Sequence, residues 1–318
     1  MVLEQRADNQ MTGLTGRDFL SMADITPQEL AQLLNLAVQL KAGNRQASCD
    51  RKILGLLFSK SSTRTRVSFS SAMWQLGGQV LDLNVNVTQV SRGEPIKDTA
   101  RVLDRYLDIL AIRTYDQADL DEFAEYAEIP IINALTDLEH PCQILADLMT
   151  VQEAFGPQLT GLTMTYLGDG NNVAHSLILG CALAGISIRV ATPPDYIPRS
   201  DVVSKAQELA GDRCTITLTE DPKAAVEGTH VIYTDVWASM GQEDVATSRI
   251  PTFQPYQVNT DLLALADKAA IVLHCLPAHR GEEITEEVIE GPQSRVWDEA
   301  ENRMHAQKAL LVELLGSS

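Results

Sequence analysis

Short apolar runs alternate with longer stretches of helical period along this chain, and that alternation sets the first expectation for the fold. Residues 53–58, 80–85, 108–113 and 129–134 read as strands. Between them, helices are expected from Ser62 or Thr63 through Val67, Phe69, Ala72, Met73 and Leu76 to Gly77-Gly78, over 96–106 and over 120–127. An earlier helix starts at Thr26-Pro27-Gln28-Glu29 and runs through Leu30, Leu33, Leu34 and Ala37, after a polar, unpatterned stretch over 1–12. A long apolar-periodic segment from Pro141 through Leu145, Leu148 and Phe155 ends at Gly156-Pro157 and reads as the link between two halves. The second half repeats the rhythm without repeating the sequence. Its strands are expected over 162–167, 186–191, 215–218, 230–234 and 270–274, and its helices include 173–184 and 202–210. A last short element over 296–298 and a separate helix over about 303–315 finish the chain. Strands joined by crossover helices make mostly parallel sheets, so the expected fold is α/β.

With 318 residues the chain exceeds one ordinary core, which divides it into two α/β domains, each a mostly parallel sheet flanked by helices, over 1–150 and 151–302. At 45% hydrophobic and 21% charged residues the composition is that of a soluble globular protein. No apolar run is long enough to span a bilayer and no leader pattern is visible, so a cytoplasmic location is expected. The five cysteines are odd in number and show no paired spacing, which argues for free thiols over a disulfide framework or a zinc knuckle. A net charge of −18 and a pI near 4.7 exclude nucleic acid and anionic membranes as natural partners. An anionic metabolite therefore needs a locally positive pocket.

One stretch supplies such a pocket. After the run ending at Phe58 come Ser59-Lys60-Ser61-Ser62-Thr63-Arg64-Thr65-Arg66 and then a helical pattern, so hydroxyls and arginines stand at a helix start. Free N–H groups and the positive end of the helix dipole hold anions there, and a guanidinium matches two phosphate oxygens at once. Ligands of open α/β sheets sit beyond the carboxyl ends of strands. Those ends carry Arg113, His140-Pro141-Cys142-Gln143, Asp169-Gly170-Asn171-Asn172, Asp235 with Ser239-Met240-Gly241, and His274-Cys275-Leu276-Pro277. Taken singly, each has a structural explanation: a surface ion pair, a turn residue, a helix cap, a core thiol. Their recurrence at the same end of successive strands points to a ligand cleft. Gly168-Asp169-Gly170-Asn171-Asn172-Val173, with Asp195 after the next strand, also partly matches a dinucleotide fingerprint, but Val173 stands where the third glycine belongs.

Ser62-Thr63-Arg64-Thr65-Arg66 and His140-Pro141-Cys142-Gln143 together resemble the signatures of the aspartate/ornithine transcarbamoylase family. Asp235 with Ser239-Met240-Gly241, and His274-Cys275-Leu276-Pro277, are similar to its ornithine branch, whereas the aspartate branch carries an Arg-x-Gln pattern and a Pro in place of the Cys. The likeness runs from about Gly16 to the Asn302-Arg303 region. It implies carbamoyl transfer from carbamoyl phosphate to L-ornithine, giving L-citrulline and phosphate, most naturally in arginine biosynthesis. Transfer to another amine, such as acetylornithine or putrescine, is the nearest alternative, followed by a dehydrogenase and by a catalytically dead carbamoyl phosphate binder. By resemblance, Ser62, Thr63, Arg64 and Thr65 bind phosphate, Arg113 and His140 act with Thr65 on the carbonyl oxygen, and Gln143 fixes the carbamoyl NH₂. Cys275, Leu276 and Arg303 complete that side, and Gln89 reaches it from a neighbouring subunit. Asn171 or Asn172, with Asn172 the better match, holds the ornithine carboxylate, and Asp235, Ser239 and Met240 the α-amine. The catalytic set is Arg113, His140, Asp235, Cys275 and Arg303. Neither metal nor cofactor is implied. Homotrimers or assemblies of trimers are, with the carbamoyl phosphate domain first and the last helix packed back upon it.

Overall fold

The structure, a computed structural model, describes residues 13–60, 62–84, 93–238 and 246–316. Helix α1 (Pro27–Lys41) starts on a reciprocal cap: the Thr26 hydroxyl accepts from the Glu29 N–H, the Glu29 carboxylate accepts from the Thr26 N–H, and Pro27 fills the first turn. There follow β1 (Ile53–Phe58), α2 (Thr63–Gln75), β2 (Gln79–Asn84), α3 (Ile96–Leu103), β3 (Ile109–Arg113), α4 (Gln117–Tyr126), β4 (Ile131–Leu135) and α5 (Pro141–Phe155). The second half contains β5 (Thr163–Leu167), α6 (Asn172–Ala184), β6 (Ser187–Ala191), α7 (Ser200–Ala210), β7 (Ile216–Thr219), α8 (Pro222–Val226) and β8 (Val231–Thr234). It ends in α9 (Ala246–Phe253), α10 (Thr260–Leu263), β9 (Ile271–His274), α11 (Glu286–Ile289) and α12 (Val296–Leu315).

Two parallel sheets result, one ordered β2-β1-β3-β4 and the other β7-β6-β5-β8-β9. Each winds outward in both directions from its first strand, so each has a switch point, between β1 and β3 in one and between β5 and β8 in the other. Crevices open where the connections on either side of a switch point diverge. The largest apolar cluster runs from the first sheet (Leu54, Leu56, Ala111) through α1, α2, α5 and α12 to α6 and the second sheet (Met164, Ile188, Val231), and a smaller one covers the other face of each sheet. Helix α5 is buried from Pro141 to Val151 and packs on both α6 and α12, so it joins the two halves as a shared wall.

Three expectations need correction. The chain after residue 296 forms one helix, α12, because Trp297–Asn302 continue its period without a breaker, and Arg303 lies inside that helix. Val67 does not face the core. The buried phase of α2 is Thr65, Ser68, Phe69, Ala72 and Met73, which leaves Val67 57% exposed. Helix α9, with Pro251 inside it, and the short helices α8, α10 and α11 were not anticipated, being too brief or too broken to show a helical period.

Candidate active site

The first switch point gathers positive charge. Phe58 and Arg113 end neighbouring strands in register, and the Ser59 N–H donates to the Arg113 carbonyl at 2.8 Å. Helix α2 opens immediately beyond, with Ser62 in extended conformation as N-cap and its hydroxyl accepting from the Thr65 N–H at 3.3 Å. Thr63 and Arg64 stay exposed at this helix start, whereas Thr65 and Arg113 are buried. Arg66 turns away: it pairs with Asp82 of β2 and lies over the Phe58 ring, which leaves Arg64 as the arginine at the helix start.

Helix α5 and helix α12 close this site. His140 precedes α5 with its N–H donating to Ser176 Oγ of α6 at 2.8 Å, and that hydroxyl donates to Glu139 Oε2 at 2.9 Å. Its imidazole is buried, and Nδ1 has no hydrogen-bond partner among the described residues. Arg303 donates through Nη1 to Gln143 Oε1 and through Nη2 to Thr65 Oγ1, each at 2.6 Å. Burial, with the charges of Arg303, Arg113 and Arg64, holds the His140 ring well below the usual histidine range, so it is neutral. Burial and the same neighbours push Arg113 down to about 10. Mutually repelling guanidiniums around a neutral imidazole form an anion site, and a neutral ring can donate one hydrogen bond to a polarised carbonyl.

The second switch point gathers amide, acid and thiol. Gly168, at φ +138°, lets the chain leave β5, and Gly170 passes so near the backbone of residues 196–198 that a β-carbon would sit 2.4 Å from the Pro198 nitrogen. Asn171 then caps α6, its Oδ1 accepting from the N–H groups of Val173 and Ala174 at 3.0 and 3.1 Å. That occupies the helix start at which a dinucleotide would place its pyrophosphate. Asn171 Nδ2 donates to Asp235 Oδ2 at 2.8 Å, and the Cys275 thiol donates to Asp235 Oδ1 at 3.0 Å. Burial first, then the neighbouring Asp235 carboxylate, pushes the thiol well above its ordinary range, so Cys275 keeps its proton. Asn172 donates to the Thr136 carbonyl at 2.6 Å and thereby ties α6 to the first half. Leu276 sits at φ +57° before the cis bond to Pro277, and its N–H donates to His274 Nδ1 at 2.9 Å.

The structure thus brings Thr65, Arg113, His140, Gln143 and Arg303 together, and beside them Asn171, Asp235 and Cys275. Glu299, one turn before Arg303 on α12, accepts from the His274 N–H at 2.8 Å, which sets Cys275 beside the wall that carries Arg303. Gln89, Ser239 and Met240 lie outside the described residues. Sequence reasoning missed Glu139, Asp147 and Glu299, all buried in this wall. The available signal was a carboxylate at position 147 inside the apolar run of α5, four residues after Gln143. Asp235, His274 and Cys275 each bring a ligand atom within 4.8 Å of the others, as do His279, Glu282 and Glu283. The His274 ring is already engaged at both nitrogens, Nδ1 with Leu276 and Nε2 with Glu283 at 3.0 Å, which leaves it no lone pair for a metal.

Residues 17–153 match the aspartate/ornithine carbamoyltransferase carbamoyl-P binding domain, and residues 160–314 match the aspartate/ornithine carbamoyltransferase Asp/Orn binding domain. The chain is 69% identical over 303 residues to a protein of Synechocystis sp. named ornithine carbamoyltransferase, covering 95% of this chain and 98% of that one. A Nostoc sp. protein of the same name is 67% identical over 307 residues, covering 96% and 100%. Among solved structures, ornithine carbamoyltransferase from Gloeobacter violaceus aligns with a TM-score of 0.87 at 56% identity, covering 94% of this chain and 98% of that one. The Pyrococcus furiosus enzyme aligns at 0.91 and 48% identity, covering 95% and 98%. Both domain matches, these relatives and the paired switch-point sites agree: the chain belongs to the aspartate/ornithine carbamoyltransferase family.

Proposed function

We propose that this chain transfers the carbamoyl group of carbamoyl phosphate to the side-chain amine of L-ornithine, releasing L-citrulline and phosphate. The carrying observation is the buried, neutral His140 set among Arg64, Arg113 and Arg303, a cationic pocket in a chain of net charge −18, next to the Asp235–Cys275 pair. Relatives at 59–69% identity that bear the name ornithine carbamoyltransferase support the same chemistry.

Ser62, Thr63, Arg64 and Thr65 receive the phosphate at the start of α2, joined in a homotrimer by Gln89 of a neighbouring subunit. Arg113, His140 and Thr65 donate to the carbonyl oxygen, where negative charge develops as the amine nitrogen bonds to carbon; the bond from carbon to the phosphate oxygen then breaks. Donors fixed before the reaction stabilise such an oxyanion by roughly 3–4 kcal/mol each. Gln143 Oε1 and Leu276 face the carbamoyl NH₂. On the second sheet Asp235, with Ser239 and Met240, holds the α-ammonium, and Asn172 the carboxylate. The side-chain amine must shed a proton to solvent from an ordinary pKa near 10.4, which costs about 5 kcal/mol at pH 7, and the second proton, lost as the C–N bond forms, leaves on the phosphate. Cys275, a protonated thiol, orients Asp235, and Arg303 braces Gln143 and Thr65.

Domains over 1–150 and 151–302 take one substrate each, with the end of α12 packed on the first through α1 and α2. Val67 and Trp74 lie seven residues apart on one face of α2, 57% and 63% exposed, with Leu81 on the adjoining edge strand. This apolar row supports trimer assembly through that face. The reaction serves arginine biosynthesis in the cytoplasm. Steady-state product formation from carbamoyl phosphate with L-ornithine, α-N-acetyl-L-ornithine and putrescine tests the reading. L-Ornithine is expected to dominate; equal or greater kcat/KM with either other amine overturns the substrate assignment.

A further inference from the structure

Between α5 and α12 runs a buried polar seam of which the reaction scheme above leaves two carboxyls, Asp147 and Glu299, unused. His140, Gln143 and Asp147 recur at helical spacing on one side, and Glu299 and Arg303 stand one turn apart on the other. Gln143 Nε2 donates to Asp147 Oδ1 at 2.8 Å and to Glu299 Oε1 at 2.9 Å, while Gln143 Oε1 accepts from Arg303 Nη1. Glu299 Oε2 is held separately by the His274 N–H at 2.8 Å, and the Tyr233 hydroxyl lies 3.5 Å from Glu299 Oε1. Asp147, Glu299, Gln143, Tyr233 and His274 are all buried, as is Arg303.

An amide has a donating end and an accepting end, and its orientation follows from its partners. Here two carboxyls stand on one side and a guanidinium on the other, so only one orientation matches donors to acceptors. We propose that Asp147 and Glu299 are positioning residues that lock the Gln143 amide with its oxygen toward the carbamoyl site, and so make the site select an NH₂-bearing acyl phosphate over a methyl-bearing one. The inference rests on the role proposed for Gln143. Burial pushes both carboxyls upward, and the Arg303 guanidinium beside them pulls the other way. The charged group facing the pair is Arg303 from α12; the Cys275 thiol, from the turn after β9, keeps its proton, and the remaining contacts, from α5, β8 and β9, are neutral.

Glu299→Gln is the sharpest variant. Its carbonyl can keep the His274 N–H, which turns the new NH₂ against Gln143 Nε2, donor against donor, and leaves Asp147 and Arg303 alone to hold the Gln143 amide. Asp147→Asn loosens the same lock from α5. The readout is the ratio of the Ki for acetyl phosphate to the KM for carbamoyl phosphate, measured on full-length protein with thermal denaturation alongside. In the wild type the carbamoyl NH₂ donates to Gln143 and the acetyl methyl cannot, so carbamoyl phosphate is preferred. In either acid variant the preference should fall roughly ten-fold, the worth of one hydrogen bond, with inorganic phosphate affinity changed less than two-fold. A variant that weakens both acyl phosphates equally, or that keeps the wild-type ratio, overturns the proposal. Gln143→Ala separates the two layers. If it leaves kcat/KM for carbamoyl phosphate intact, the proposed role of Gln143 fails; if it impairs and the acid variants do not, only the lock fails.

Discussion

Replacing Asp235 by Asn tests the amine side of the cleft with little change of shape. The carboxylate is nearly buried and held at both oxygens, by Asn171 Nδ2 at 2.8 Å and by the Cys275 thiol at 3.0 Å. An asparagine can keep the Asn171 bond through its oxygen and donate its NH₂ to the cysteine sulfur, so the fold should tolerate it. What disappears is the negative charge proposed to face the α-ammonium of ornithine. Truncating one partner of a buried, hydrogen-bonded charge pair costs about 2 to 5 kcal/mol, or roughly 30- to several thousand-fold in kcat/KM. α-N-acetyl-L-ornithine has no charge at that nitrogen, so it should be a poor substrate of the wild type and lose much less from the substitution. The assay is citrulline or acetylcitrulline formation under saturating carbamoyl phosphate on both proteins, with thermal denaturation as a control. Equal fractional losses for the two amines, with a lowered melting temperature, would show that Asp235 only braces the turn after β8.

Arg64→Leu should weaken carbamoyl phosphate binding by roughly 1.5–3 kcal/mol with a melting temperature close to wild type, because Arg64 is exposed at the start of α2; equal stabilisation of both proteins by inorganic phosphate in a thermal-shift assay would refute it. Burial raises the Glu139 carboxyl from 4.5 to about 7, so the folded chain holds a proton that the unfolded chain has released between those values. Stability is therefore lost as pH rises through that window, by at most about 3 kcal/mol. Glu139→Gln, which can still accept from the Met22 N–H and donate to Ser21, should flatten the slope in denaturant titrations from pH 5 to 8; an unchanged slope would assign the effect elsewhere. Trp74→Glu should convert a trimer to monomers in sedimentation, and an unchanged sedimentation coefficient would move the contact to another face.

The division of the chain into strands and crossover helices was legible because parallel strands, buried on both faces, are written as unbroken apolar runs such as Leu54–Phe58 and Ile109–Ile112. The position of the cleft was legible for a related reason. Strand order was not known from the sequence, but polar residues at the end of each run must gather at one edge of their parallel sheet, and those edges hold Arg113 and His140 in the first sheet and Asp235 and Cys275 in the second. Finer features depend on which way a side chain turns. Arg64 and Arg66 look equivalent as text, yet on a helix they point about 200° apart, and Asp82 claims the second. Val67 looks like core and is surface, since a helix that carries an apolar residue outward can show the same periodicity as one that carries it inward. Asp147 and Glu299 were the least visible. A buried carboxyl survives only with partners, and its partners here come from α5, α12 and the two strands β8 and β9, which lie far apart in the chain. The sequence can mark such a residue as out of place in an apolar helix, but the amide it orients becomes visible only once both helices are packed.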